Sequence, residues 1–164
     1  MIAKKYLELI SKPEGLLLEW LKSTKVMHQG HHIAATRYNN HHRTIGTVSA
    51  ILSAIIATSL FISLSTSDNR LAIIISGIIS MLASALTGVS TFLGLNEKAN
   101  RHLQAATLFQ AVRREIEEEI MNINQGKIKE NYLPIREKWT KALDTSIPLP
   151  KGLYDSLSNQ VGDD

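Results

Sequence analysis

The chain has 164 residues, room for one domain of ordinary size, and a formal net charge of +3. It contains no cysteine, which excludes a disulfide framework and any thiolate metal site. An apolar content of 44% would suit a soluble globular protein, but residues 44–67 and 71–95, 24 and 25 residues long, hold no Asp, Glu, Lys, Arg or His. About 20 residues of helix cross a hydrocarbon core of roughly 30 Å, so both runs are long enough to span a bilayer.

Residues 1–43 form a basic N-terminal region. Its first 25 residues hold no long apolar run, with charges every few residues, and do not read as a signal peptide. A short helix is expected at about residues 3–11, then a break at "KPEG" with Pro13 and Gly15. Residues 16–43 read as a helix. Leu17, Leu21, Thr24, His28, His31, Ala35, Tyr38 and His42 step by three or four along one face. Gly30 weakens its middle.

Residues 44–95 read as a hydrophobic hairpin. The spans are about 45–64 and 71–95, joined by "STSDNR" with its turn-forming Asp68 and Asn69. In lipid every backbone polar group must be satisfied internally, so helices are the expected state. The N-terminal 43 residues carry seven Lys/Arg against three Asp/Glu, and Lys98, Arg101, Arg113 and Arg114 follow the second span. That bias places both termini on the cytoplasmic side.

Residues 96–124 contain no helix breaker and are expected to continue the second span without interruption. Leu103, Ala106, Phe109, Val112, Ile116, Ile120 and Ile123 make a near-heptad apolar stripe. The expected partner is the N-terminal helix, in an antiparallel cytoplasmic coiled coil. Arg113 and Arg114 can pair with Glu117 and Glu118 at four-residue spacing. In the last segment, residues 125–164, Pro134 can open a helix with Ile135, Trp139, Ala142 and Leu143 on one face. "SIPLPKG" stops it, and the terminal "VGDD" is expected to fray.

Five of the six histidines, His28, His31, His32, His41 and His42, crowd before the first span. His28 and His32 have a spacing that a metal pair can use. His31 and His42 lie near that face and His41 points away. No carboxylate occurs in residues 21–43, and there is no "HExxH" pattern. A catalytic zinc needs three fixed ligands and a structural one usually four, so neither metal nor cofactor is expected. The remaining readings are packing in a helix seam or at headgroup level, and a pH response, since imidazole titrates near pH 6.5. His102, just past the second span, is expected to face the His42/Arg43 end of the first.

Ser76, Ser80, Ser84 and Gly88 recur every four residues on the second span. Ser49, Ser53 and Ala57 do so on the first, as do Gly46, Ala50 and Ala54. Small residues at this spacing let helices approach closely in lipid. They serve either the hairpin alone or the hairpin and neighbouring chains. In a ring of chains Thr47, Thr58, Thr87, Ser90 and Thr91 would add hydroxyls to a central path. No ionisable residue lies inside either span, which argues against a proton relay, a voltage sensor or a charged selectivity ring. Walker, nucleotide-binding glycine and "GxSxG" patterns are missing, so no enzyme is expected. Basic residues near the spans suit anionic lipid headgroups, and no motif suggests nucleic-acid binding.

The order of parts is similar to a known family. "AATRYNNHHR" precedes the first span and "NEKANRHLQAATLFQAVRREIE" follows the second. Over roughly residues 16–125 the chain resembles the SLATT family, two-transmembrane effector domains associated with SMODS and SLOG proteins. The resemblance implies a bacterial inner-membrane effector in a conflict or antiphage system that makes or senses nucleotide signals. Such a chain would oligomerise and breach the membrane on activation. The signal synthase or sensor would be a separate partner.

The expected fold is therefore an all-α membrane protein, a two-helix transmembrane hairpin continued by a cytoplasmic antiparallel helical coiled coil. Packing or pore-face candidates are Gly46, Ser49, Ser53, Ala57, Ser76, Ser80, Ser84 and Gly88. Neck or sensing candidates are His28, His31, His42 and His102. Partners are membrane lipid and further copies of the chain. Two alternatives remain: a membrane anchor whose coiled coil binds a partner, and a histidine-dependent metal or proton transporter.

Overall fold

The computed structural model describes residues 13–65, 70–125 and 132–162. The short helix expected at residues 3–11, the turn residues Asp68 and Asn69, and the last two residues lie outside these. All regular secondary structure among the described residues is helical: α1 (Pro13–Ser65), α2 (Arg70–Leu93), α3 (Leu95–Asn124), α4 (Leu133–Thr145) and α5 (Leu153–Gly162).

α1 is one helix of 53 residues that joins the expected 16–43 helix to the expected first span. It passes through Gly30 and Gly46 unbroken. A glycine costs about 1 kcal/mol against alanine inside a helix, and a packed helix this long absorbs it. The second apolar run behaves differently. In place of the uninterrupted exit helix expected after residue 95, Gly94 separates α2 from α3 with a φ of 57°. Its N–H donates to the Thr91 carbonyl at 3.1 Å, and its own carbonyl accepts from Lys98 at 2.9 Å. The helix therefore stops for one residue and restarts. Only glycine takes this left-handed conformation without a Cβ penalty.

The chain divides into two compact units. The first comprises the described parts of Met1–Ala35 and Asn100–Asp164, and the second is Thr36–Ala99. In the first unit Leu17, Val112, Ile116 and Ile135 pack together, with Trp20, Leu21, Ile120, Ile123 and Trp139 around them. Ala105, Phe109 and Ala142 form an adjoining cluster with Met27 and Trp139. So α4 lies against both α1 and α3, and the Trp20 and Trp139 rings meet edge to face at 5.4 Å. Lys138 of α4 pairs with Glu115 of α3. Burial of Leu17 and Phe109, both 0% exposed, stabilises the unit by about 1.5–3 kcal/mol each.

Three expectations change here. Leu103, expected on the α3 seam, is 50% exposed. The buried series runs His102, Ala105, Phe109, Val112 and Ile116, and Leu103 sits a helical step of about 100° off it. After the expected stop at "SIPLPKG" the chain forms α5, whose Leu153 and Leu157 bury against Val26 and Ala34 of α1. Leu149, before it, sits over Gly30: a Cβ built there would lie 2.8 Å from a Leu149 methyl carbon. Leu143, expected on the apolar face of α4, is 46% exposed.

In the second unit the residues turned inward are few. Ser76 and Ala83 of α2 are buried, and Ile79, Leu86 and Ser90 are half-buried on the same face. On α1 the half-buried residues of this unit are Tyr38, His42, Ile45, Ser49, Leu52, Ile56 and Ser59. Outside, Ile73, Ile74, Ile78, Met81, Leu82, Val89 and Phe92 stand exposed. Among the described residues one helical stretch, within Ile73–Asn124, is long and apolar enough to cross a membrane, and its apolar window is only 11% buried. A core helix of a soluble protein would be mostly covered. The expected first span lies in α1, and the side chains of residues 60–65 fall outside those described.

Candidate functional site: a buried histidine pair and an open small-residue face

α1 and α3 run antiparallel in the first unit, as two contacts establish. His28 Nδ1 lies 2.9 Å from the Ala106 carbonyl oxygen. His31 Nδ1 lies 2.9 Å from His102 Nδ1. Moving forward along α1 from His28 to His31 moves backward along α3 from Ala106 to His102. A carbonyl only accepts, so His28 donates from Nδ1 and its tautomer is settled.

His31 and His102 are 0% and 2% exposed, and Phe109 stacks on His31 with ring centroids 5.5 Å apart. Two facing Nδ1 atoms at this distance require one N–H and one lone pair, so one proton serves both. The His31 Nε2 is buried with no hydrogen-bond partner. That arrangement holds the rings neutral. Burial lowers the His31 pKa from 6.5 to about 4, and the neighbouring His102 acts in the same direction. Burial also pushes the His102 pKa down.

His102 does not face His42 and Arg43 as expected; it meets His31 instead. Eleven residues of α-helix separate His31 from His42, on the order of 16 Å along α1. His42 belongs to the second unit, where its Nδ1 is 3.4 Å from the Ser90 hydroxyl, a long contact. His32 and His41 are exposed. Among the described residues no group of three or more His, Cys, Asp or Glu is placed to hold a metal ion.

The small residues divide by facing. Ser76 is buried and Ser49 half-buried, both toward the inside of the second unit. Gly46, Ser53, Ala57, Ser80, Ser84 and Gly88 are exposed. A four-residue step advances a straight helix by about 40° beyond a full turn, so a series begun at Ser76 rotates outward by Gly88. A methyl group added at Gly46, Gly77 or Gly88 would meet nothing within 4 Å. The hydroxyls of Ser53, Thr58, Thr87 and Thr91 donate to carbonyls four residues earlier on their own helices, at 2.8–3.0 Å. Bonds of this kind satisfy a hydroxyl in an apolar medium. They leave those donors committed to the helix rather than to a polar path.

Three contributors escaped the sequence reading: Phe109 as the ring stacked on His31, Gly30 as the notch for Leu149, and Trp139 as the bridge between α1 and α3. Phe109 and Trp139 were legible as members of apolar stripes and Gly30 as a glycine inside a helix, which marks a close approach, but none of the three signals named the partner. Residues 18–144 match the model of the SMODS and SLOG-associating 2TM effector domain family 4. No curated protein and no solved structure matches the chain.

Proposed function

The chain belongs to the SMODS and SLOG-associating 2TM effector domain family 4, and from that premise we propose that it is a bacterial inner-membrane effector that permeabilises the membrane. On this reading residues 45–64 and 71–95 cross the bilayer as a hairpin, and both termini are cytoplasmic. Copies associate through the outward small-residue face and open a leak in an antiphage response. A separate nucleotide-signal synthase or sensor supplies the trigger.

The observation that supports this most is the uncovered face of the second unit. It is apolar, and it is lined by Ser80, Ser84 and Gly88, where a neighbouring helix can approach closely. A simple anchor requires apolar surface but has no use for a smooth one. With no ionisable side chain inside either run, the leak would be poorly selective. The neutral His31–His102 pair is the proposed latch of the cytoplasmic helices. A ligand can shift such a latch only by preferring one of its states.

Induced expression with a potential-sensitive dye tests the reading. Depolarisation on activation is the expected result. Intact potential with normal growth under activating conditions would leave the chain an anchor whose helices bind a partner.

A further inference from the structure

On α1, at the start of its uncharged run, Asn40, Arg43, Thr44, Thr47 and Val48 line a surface groove of about 480 Å³. Their steps of three, four and seven residues stack them over two turns of one helix face. Ile51 and Ile55, 55% and 46% exposed, continue that face one and two turns further on. The opposite face, with Ile45, Ser49, Leu52 and Ile56, is the one turned into the unit. The helix face that carries the groove is thus polar at the groove and apolar beyond Val48, on the side that is left uncovered.

The polar end is rich in donors and poor in acids. Arg43 is the last cation before the uncharged run, and no Asp or Glu occurs in residues 20–67. Among the described residues Arg43 makes no ion pair. The hydroxyls of Thr58, Thr87 and Thr91 turn back to their own helix carbonyls. Those of Thr44 and Thr47, among the described residues, carry no such bond and stay available. A guanidinium, two hydroxyls and a side-chain amide on adjacent turns match the oxygens of a phosphate group.

We propose that this groove binds an anionic phospholipid. Its phosphate sits on Arg43, Asn40, Thr44 and Thr47, and an acyl chain lies along Val48, Ile51 and Ile55. A free phosphate could share the polar contacts but has nothing to lay on the apolar half, which is why the lipid is the assigned ligand. The inference rests on residues 45–64 lying in the bilayer, as the effector reading has them. Its consequence is that a bound headgroup fixes how deep α1 sits, and so where a leak would open.

The test uses the full chain in detergent, offered an equimolar mixture of phosphatidylglycerol and phosphatidylcholine, with retained lipid read by native mass spectrometry. Phosphatidylglycerol should be retained preferentially, and Arg43→Gln should reduce its retention about fivefold, the worth of one basic side chain near an anionic surface. Thr44→Val with Thr47→Val should weaken it with the charge intact. Lys98→Gln, which removes the same charge from α3, should leave it unchanged. Equal losses from Arg43→Gln and Lys98→Gln would overturn the site. So would full displacement of the lipid by millimolar inorganic phosphate. Because retention is read without any leak, a chain that holds lipid through Arg43 yet never depolarises cells would sink only the effector reading.

Discussion

Two imidazoles that share one proton between their Nδ1 atoms cannot both become cations without losing the bond that joins them. His31 and His102 are such a pair, 2.9 Å apart and closed off from water. Phe109, which is apolar, stacks on His31, the two imidazoles face each other, and α1 carries no carboxylate in residues 20–65 to compensate a charge there. The sign of the pH effect follows. The folded pKa of His31 is about 4 against 6.5 unfolded, so between those values the unfolded chain binds the proton and the folded chain does not. Stability is full above pH 6.5 and falls as the pH drops toward 4, by on the order of 3 kcal/mol for this group. Thermal melts of the detergent-solubilised chain should show that slope, and His31→Leu with His102→Leu should flatten it. A slope untouched by the double substitution would remove the pair from the account. His31→Ala alone should cost about 2–4 kcal/mol, from the cavity beside Phe109 and an unpaired nitrogen on His102.

At the scale of elements, glycine does two opposite things. Gly94 interrupts a helix, with its φ of 57°, and the interruption is where α2 gives way to α3. Gly30 interrupts nothing and instead admits Leu149 against the α1 backbone. Both are plain glycines in helix-forming surroundings, and composition does not separate the two outcomes. Gly30→Leu should push Leu149 and Leu157 aside and free α5, which packs on Val26, Ile33 and Ala34 of α1 beside that glycine. Hydrogen exchange should then rise across residues 147–162 while α4, anchored by Ile135 and Ala142, keeps its protection. Unchanged exchange in α5 would show that the notch is not what seats it. α1 and α4 were readable from apolar steps of three and four. α5 was not, because ten residues with two apolar anchors give too short a period to stand out beside "SIPLPKG".

For the molecule as a whole, the proposed function rests on the second unit, whose apolar side chains face outward with nothing among the described residues covering them. On the proposed effector reading, lipid covers the large ones and a second copy approaches closely at the small ones. Replacing Ser80 and Ser84 by leucine should therefore leave membrane insertion intact, because both changes raise hydrophobicity. The same pair should abolish depolarisation by filling the face a neighbour would use. Carbonate extraction checks the first half and dye response the second; a leak that survives both substitutions would place the association elsewhere.

The sequence by itself determined that the chain is helical and carries two uncharged runs long enough to cross a bilayer. Two uncharged runs of sufficient length are a local property, and no tertiary contact is needed to make them insoluble in water. It also determined the order of parts through which the family can be recognised. Which histidines meet was decided only by the tertiary structure. His31 and His102 lie 71 residues apart, and their contact depends on the register of two antiparallel helices. Register is a sum over every packed residue along both, so a shift of one turn would pair His102 with a different histidine or with none. The same holds for the small-residue series. Its four-residue period is legible, but which members point inward depends on where the neighbouring helix lies, and the structure turns Ser76 in and Ser80, Ser84 and Gly88 out.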